Sequence, residues 1–174
     1  MALSNILPAA FSTGAVLQVK HAQYTGIDTV ALTNDMPTVI HSNLQVTITP
    51  SSVNSIIKLE GQIFGEHGDA GVIYNHMVFF FRDTTKLAAP QASNRTSGVG
   101  TMTRTYTIPN ADSTPEFGYF SYFDSPSSTS AITYKLGMIV NSSETFRINK
   151  TVADSNSTSN ERGISFISAT EIAG

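Results

Sequence analysis

The sequence predicts an all-β protein, a single-domain antiparallel β-sandwich of jelly-roll-like character. Three observations carry that prediction. Apolar and polar residues alternate at period two along most of the chain, as in "LQVTITP", where Leu44, Val46 and Ile48 share one face. Clusters of Ser, Thr, Asn, Gly and Pro punctuate the runs. No window sustains a 3.6-residue stripe beyond two turns, and β-branched and aromatic residues outweigh helix formers. At 174 residues the chain fits one domain and can bury about 70% of its unfolded surface, so it needs no staples.

The elements follow in order. Residues 1–13 fit no strand and read as an N-terminal arm packed on a neighbouring subunit, with the sandwich spanning 14–174. "GAVLQVKHAQY" opens the sandwich, followed by "LQVTITP", the turn at Ser51 and Ser52, and "SIIKLEGQIFGE". "GVIYNHMVFFFRD" (Gly71 to Asp83) is the longest apolar strand. "GTMTRTYTIP", "PEFGYFSYFD", "AITYKLGMIV" and "ISFISATEIA" complete the set. The loops "TTKLAAPQASNRTSG", "SPSSTS" and "ADSNSTSNERG" are turn material, too short for domain linkers.

Composition narrows the function. Charged residues are only 13%, replaced by Ser, Thr and Asn, and no apolar run approaches the roughly 20 residues of a spanning helix, so no membrane insertion is expected. The absence of cysteine excludes disulfides, thiolate catalysis and Cys-bound zinc. Net charge is -3 and the basic residues, such as Lys20, Lys58, Arg82, Arg104 and Lys150, form no run, which argues against nucleic acid as a partner. The first residues lack a basic segment and carry Pro8, so no secretory signal is expected. Four N-x-S/T sequons, at Asn94, Asn141, Asn149 and Asn156, are read as chance in a chain this rich in those residues.

Chemistry-bearing residues are sparse. "FGEHGDAGVIYNH" gathers Glu66, His67, Asp69 and His76, but the spacing matches no standard metal site and reads as a polar turn, so no metal is assigned to residues 66–76. Asp69, Asp83, Glu116 and Asp124 are the carboxylates that a glycosidase pair would draw on, and they read as solvated turn residues. No nucleophile elbow, Walker loop, dinucleotide fingerprint or H-E-x-x-H occurs. The protein is expected to be no enzyme and to need no cofactor.

Two strands are apolar on both faces. In "HMVFFFRD", Met77, Phe79 and Phe81 oppose Val78 and Phe80; in "EFGYFSYFD", Phe117, Tyr119 and Phe123 oppose Phe120 and Tyr122. One face is core, and the other is covered by a loop or by a subunit. Taking Phe79 and Phe117 as core makes Val78, Phe80, Phe120 and Tyr122 the interface candidates. Tyr119 and Tyr134 are the candidates to face a ligand, stacking on sugar rings if the chain is a carbohydrate-binding module.

The order "GAVLQV" (Gly14 to Val19), "ITPSS" (Ile48 to Ser52) leading into Ile56 to Ile63, and "ISFISATEIA" (Ile164 to Ala173) resembles the small β-sandwich virion proteins of tailed bacteriophages, the structural or tail-fibre type known from cyanobacterial and marine hosts. Gly61 departs from that pattern and suggests a bulge. The resemblance implies a homotrimer on the virion exterior, assembled in the bacterial cytoplasm, either in a tail fibre or receptor-binding appendage or as a capsid decoration. Its implied partners are copies of itself, other virion proteins and, in the alternative reading, a host surface glycan.

Overall fold

A computed structural model describes residues 12–68, 75–90, 93–104 and 113–174. Among them are twelve strands: β1 (Val16–Tyr24), β2 (Asp28–Leu32), β3 (Thr38–Val39), β4 (Gln45–Ile48), β5 (Ile56–His67), β6 (Met77–Arg82), β7 (Thr85–Leu87), β8 (Thr103–Arg104), β9 (Glu116–Asp124), β10 (Ile132–Ile139), β11 (Glu144–Ile148) and β12 (Ser165–Ile172). No helix occurs among the described residues, and so none long and apolar enough to cross a membrane. The named strands pair antiparallel in two sheets, which makes the chain the all-β sandwich its alternation predicts. Nearly all of the expected arm, residues 1–11, lies outside the described residues, as do 105–109 of "GTMTRTYTIP".

The larger sheet is organised on β5, at 12 residues the longest strand among the described residues; residues 71–74 of the segment before Asp83 lie outside them. One edge of β5 pairs with β9, from Ile57↔Asp124 to Gly65↔Glu116. Its other edge pairs first with β12 and then with β11, and β1 flanks β12. The smaller sheet holds β10 between β6 on one side and the short β3 and β4 on the other, with β7 beyond β6. First and last strands thus lie side by side, and the chain changes sheet repeatedly.

Alternation decides what is buried. Ile57, Leu59 and Ile63 of β5, Ile167 and Ala169 of β12, Val78 and Phe80 of β6, and Leu136 and Met138 of β10 all point between the sheets. Gly61 belongs to the same inward row. The expected bulge does not occur, since pairing with both neighbours runs unbroken through it. A β-carbon at Gly61 would instead lie 2.6 Å from Leu136 Cδ2, with Phe80 and Phe120 only slightly farther. The missing side chain makes room for the thickest part of the core.

The two faces of β6 are the reverse of the expected ones. Val78 and Phe80 are fully buried in the main core, where the Phe80 ring meets Phe120 at 5.0 Å, so neither they nor Phe120 is available to a neighbouring subunit. Tyr122 is half-buried and packs against the same core. Phe79 and Phe81 form a second, small cluster with Ile139, packed with Val39, Met77 and Val99 on the outer side of the smaller sheet. The segment after β7 supplies that cover: Val99 N–H donates to the Val78 carbonyl, and Val78 N–H donates to the Gly100 carbonyl. A loop of the chain itself therefore closes the second face.

Candidate functional site

The inward rows of three strands end in polar residues at the same end of the sandwich. On β5 the row Ile57, Leu59, Gly61, Ile63, Gly65 ends at His67. On β9 the row containing Gly118 and Phe120 starts at Glu116, and the row of Val78 and Phe80 starts with His76, just before β6. Strand pairing brings Gly65 opposite Glu116, which sets His67 beside that carboxylate. β11 adds Glu144, in phase with Phe146, which pairs with His67.

The resulting group is almost dry. His67 Nδ1 lies 2.5 Å from Glu144 Oε1, with their side chains 1% and 0% exposed. Glu116 Oε2 stands 3.8 Å from His67 Nε2 and 3.8 Å from His76 Nε2. The two imidazole rings are 4.7 Å apart, and the Phe146 edge meets His67 at 5.0 Å. Burial, with the neighbouring His67, pushes His76 down to about 4, so it is neutral near pH 7. Its Nε2 accepts a hydrogen bond from Met102 N–H at 3.3 Å.

The opposite end is closed by a second polar group. The Arg82 guanidinium meets Asp124 at 3.0 Å, and Tyr134 Oη donates to Asp124 Oδ2 at 2.7 Å. Burial, then that bond to a carboxylate, raises the Tyr134 phenol above its ordinary value. Tyr134 is wholly buried, so it cannot stack on a ligand; it is a core residue with its hydroxyl satisfied.

A third buried carboxylate ties the chain together. Glu171 Oε1 accepts bonds from Ser51 N–H (2.7 Å), Ser51 Oγ (2.6 Å) and Ser55 Oγ (2.7 Å), and Oε2 accepts one from Gln18 Nε2 (2.6 Å). Burial alone would push its pKa up, but the bonds from Ser51, Gln18 and Ser55 outweigh that and hold it below the ordinary value. Gln18 also donates to the Thr49 carbonyl. The segments "GAVLQV", "ITPSS" and "TEIAG" therefore meet at one clasp.

The outer face of the larger sheet is different in kind. Phe117, Tyr119 and Phe123 form the outward row of β9, at 40%, 54% and 60% exposure. Beside them on β5 stand Lys58, Glu60 and Gln62. Tyr119 Oη donates to Glu60 Oε1 at 2.6 Å, and Lys58 Nζ is 2.9 Å from the same oxygen. Val16 and Val19 are exposed on β1, at the far side of the same sheet.

Against the sequence expectations, His67 and His76 do come together, but Glu66 does not join them. It turns to the other side of β5 and accepts bonds from Thr114 and from Val152 N–H. Asp69 lies outside the described residues. Glu116, read from sequence as a solvated turn residue, is buried, as is Asp124. These two end the same inward row eight residues apart, about 27 Å along a strand, far beyond the roughly 5–10 Å of a glycosidase pair. Asp83 accepts a bond from Thr133 N–H. Tyr119 is exposed on the outer face of the larger sheet. Glu144 and Glu171 escaped the sequence reading, although each sits in phase with an inward apolar residue.

Fold and site together define a two-sheet antiparallel β-sandwich with polar groups closing both ends of its core. No protein-family model matches the chain, and no curated protein matches it either.

Proposed function

We propose that the chain is a non-enzymatic structural subunit of the exterior of a tailed-phage particle, homotrimeric, in a tail appendage or capsid decoration. One observation carries this reading: the three motifs that resemble phage virion proteins converge on Glu171. They are parts of one structural unit, which supports a likeness of architecture over three separate coincidences. Two of the buried carboxylates are held by bonds within the fold: Asp124 by Arg82 and Tyr134, and Glu171 by four donated bonds.

A second reading, binding of a surface glycan, is favoured by the outward row of β9. Phe117 and Tyr119, about 7 Å apart at two residues' spacing, offer flat apolar surface beside hydrogen-bonding Glu60 and Gln62. Both readings are tested on particles. Antibody labelling against the chain should decorate the head or tail of intact virions; unlabelled particles overturn the virion reading. Tyr119→Ala should reduce retention on host surface polysaccharide at least fivefold with stability unchanged if the glycan reading holds, and equal retention removes it.

A further inference from the structure

We propose that His67, His76 and Glu116 form a binding site for one divalent transition-metal ion of the zinc type, which cross-links the two sheets at this end of the sandwich. Their potential ligand atoms all lie within 4.8 Å of one another, and all three residues are buried. Two imidazole nitrogens and one carboxylate oxygen are a donor set that suits zinc, with a water molecule as fourth ligand.

The placement of His67 points independently to a cation. Its Nδ1 is engaged by Glu144 Oε1 at 2.5 Å, which fixes the ring. Nε2, in a side chain 1% exposed, has no hydrogen-bond partner among the described residues. It is aimed at Glu116. A histidine whose far nitrogen is fixed by a carboxylate while its near nitrogen faces other donors is the arrangement that orients metal ligands.

The fit is close without being tight. A tetrahedral ion at about 2.0–2.1 Å from each donor separates donors by about 3.3 Å. Glu116 Oε2 must therefore approach each imidazole by about half an ångström from 3.8 Å, and the widest donor pair, up to 4.8 Å apart, must close by as much as about 1.5 Å. His76 must also release its 3.3 Å bond from Met102 N–H, which is long for a nitrogen acceptor. An open cavity whose lining includes Asn75, His76, Thr96, Asn141 and the cationic Arg95 reaches His76 from outside, so an ion enters past that charge.

The test uses the full chain, stripped with a chelator and titrated at pH 7.5 with zinc chloride by calorimetry and with cobalt chloride by visible absorption. The expected result is one equivalent of zinc, a higher melting temperature in excess zinc, and cobalt bands of four-coordinate intensity. Glu116→Gln should weaken zinc binding more than about a hundredfold, and Glu144→Gln, which touches the ion only through His67, about 10–100-fold. A readout on the unaltered protein guards against variants that fail to fold. Imidazole nitrogen-15 shifts should report zinc ligation at His67 and His76, leaving His21 and His41 unmoved. Absence of stoichiometric binding at about 1 mM zinc, a thousand times weaker than a micromolar site, overturns the proposal. So does ligation at His21 or His41 alone, or a His67 that carries protons on both nitrogens after zinc is added.

Discussion

Glu171 shows how much a single inward charge can organise. Its four accepted bonds come from segments that are distant in sequence, and all four donors point at one carboxylate. Replacing it by Gln puts an amide N–H₂ where only acceptors fit, so one donor pair is left facing another. Glu171→Gln should cost about 1–3 kcal/mol near pH 7, read by urea denaturation. The pH dependence follows from the lowered pKa. In the unfolded chain the group titrates near 4.5, and in the folded protein lower, so the ionised form is the one that folding favours. Its contribution is complete above 4.5 and is lost as pH falls through the lower, folded value. The wild type should therefore lose stability below about pH 4.5 more steeply than Glu171→Gln; parallel profiles for the two would show that the clasp carries no charge-dependent stability. The motif containing Glu171 was visible in the sequence, but its role was not. A Glu in an alternating strand looks like an outward residue until its phase is compared with Ile167 and Ala169.

The same rule of phase operates for whole strands. Period two located β1, β4, β5, β6, β8, β9, β10 and β12 because at least one face of each run is apolar in the sequence. The short β2, β3, β7 and β11 carry too few apolar residues to register, and β11 brings Glu144 with it. For β6 the strand was legible and its orientation was not, since both faces are apolar and the pattern holds no phase. The polar residues mark the inward row: His76 and Arg82 are in phase with Val78 and Phe80 and close the two ends of the core. Likewise Glu116 and Asp124 bracket Phe120 on β9. Polar residues in register with core residues on neighbouring strands are thus the sequence trace of an inter-sheet polar group. One consequence concerns Phe80, which has no exposed surface and packs on Phe120 and above Gly61. Phe80→Ala should destabilise the fold by about 3–5 kcal/mol in chemical denaturation, and Phe80→Asp should prevent folding altogether. A folded Phe80→Asp protein that fails only in assembly would restore Phe80 to an interface.

On the scale of the molecule, the sandwich treats its two outer faces unequally. The smaller sheet hides Phe79 and Phe81 beneath the segment that follows β7, while the larger sheet leaves aromatics and valines exposed on both sides of a polar centre. With Val78, Phe80 and Phe120 inside the core, the proposed homotrimer must draw its contacts from elsewhere, and the larger sheet offers Phe117, Tyr119 and Phe123 on β9 with Val16 and Val19 on β1. Apolar side chains left in water at more than half exposure, as Phe123 and Val16 are, gain most from association. A buried Phe in such a contact contributes about 2–3 kcal/mol per copy, repeated around a three-fold axis. Phe123→Asp puts a charge into that contact while leaving the core row of β9 untouched, because Phe123 faces away from Phe120. Sedimentation at micromolar concentration should therefore find wild type as a trimer and Phe123→Asp as a folded monomer. A wild-type monomer rules out the trimer for the free protein, and a trimer that survives Phe123→Asp moves the contact away from β9.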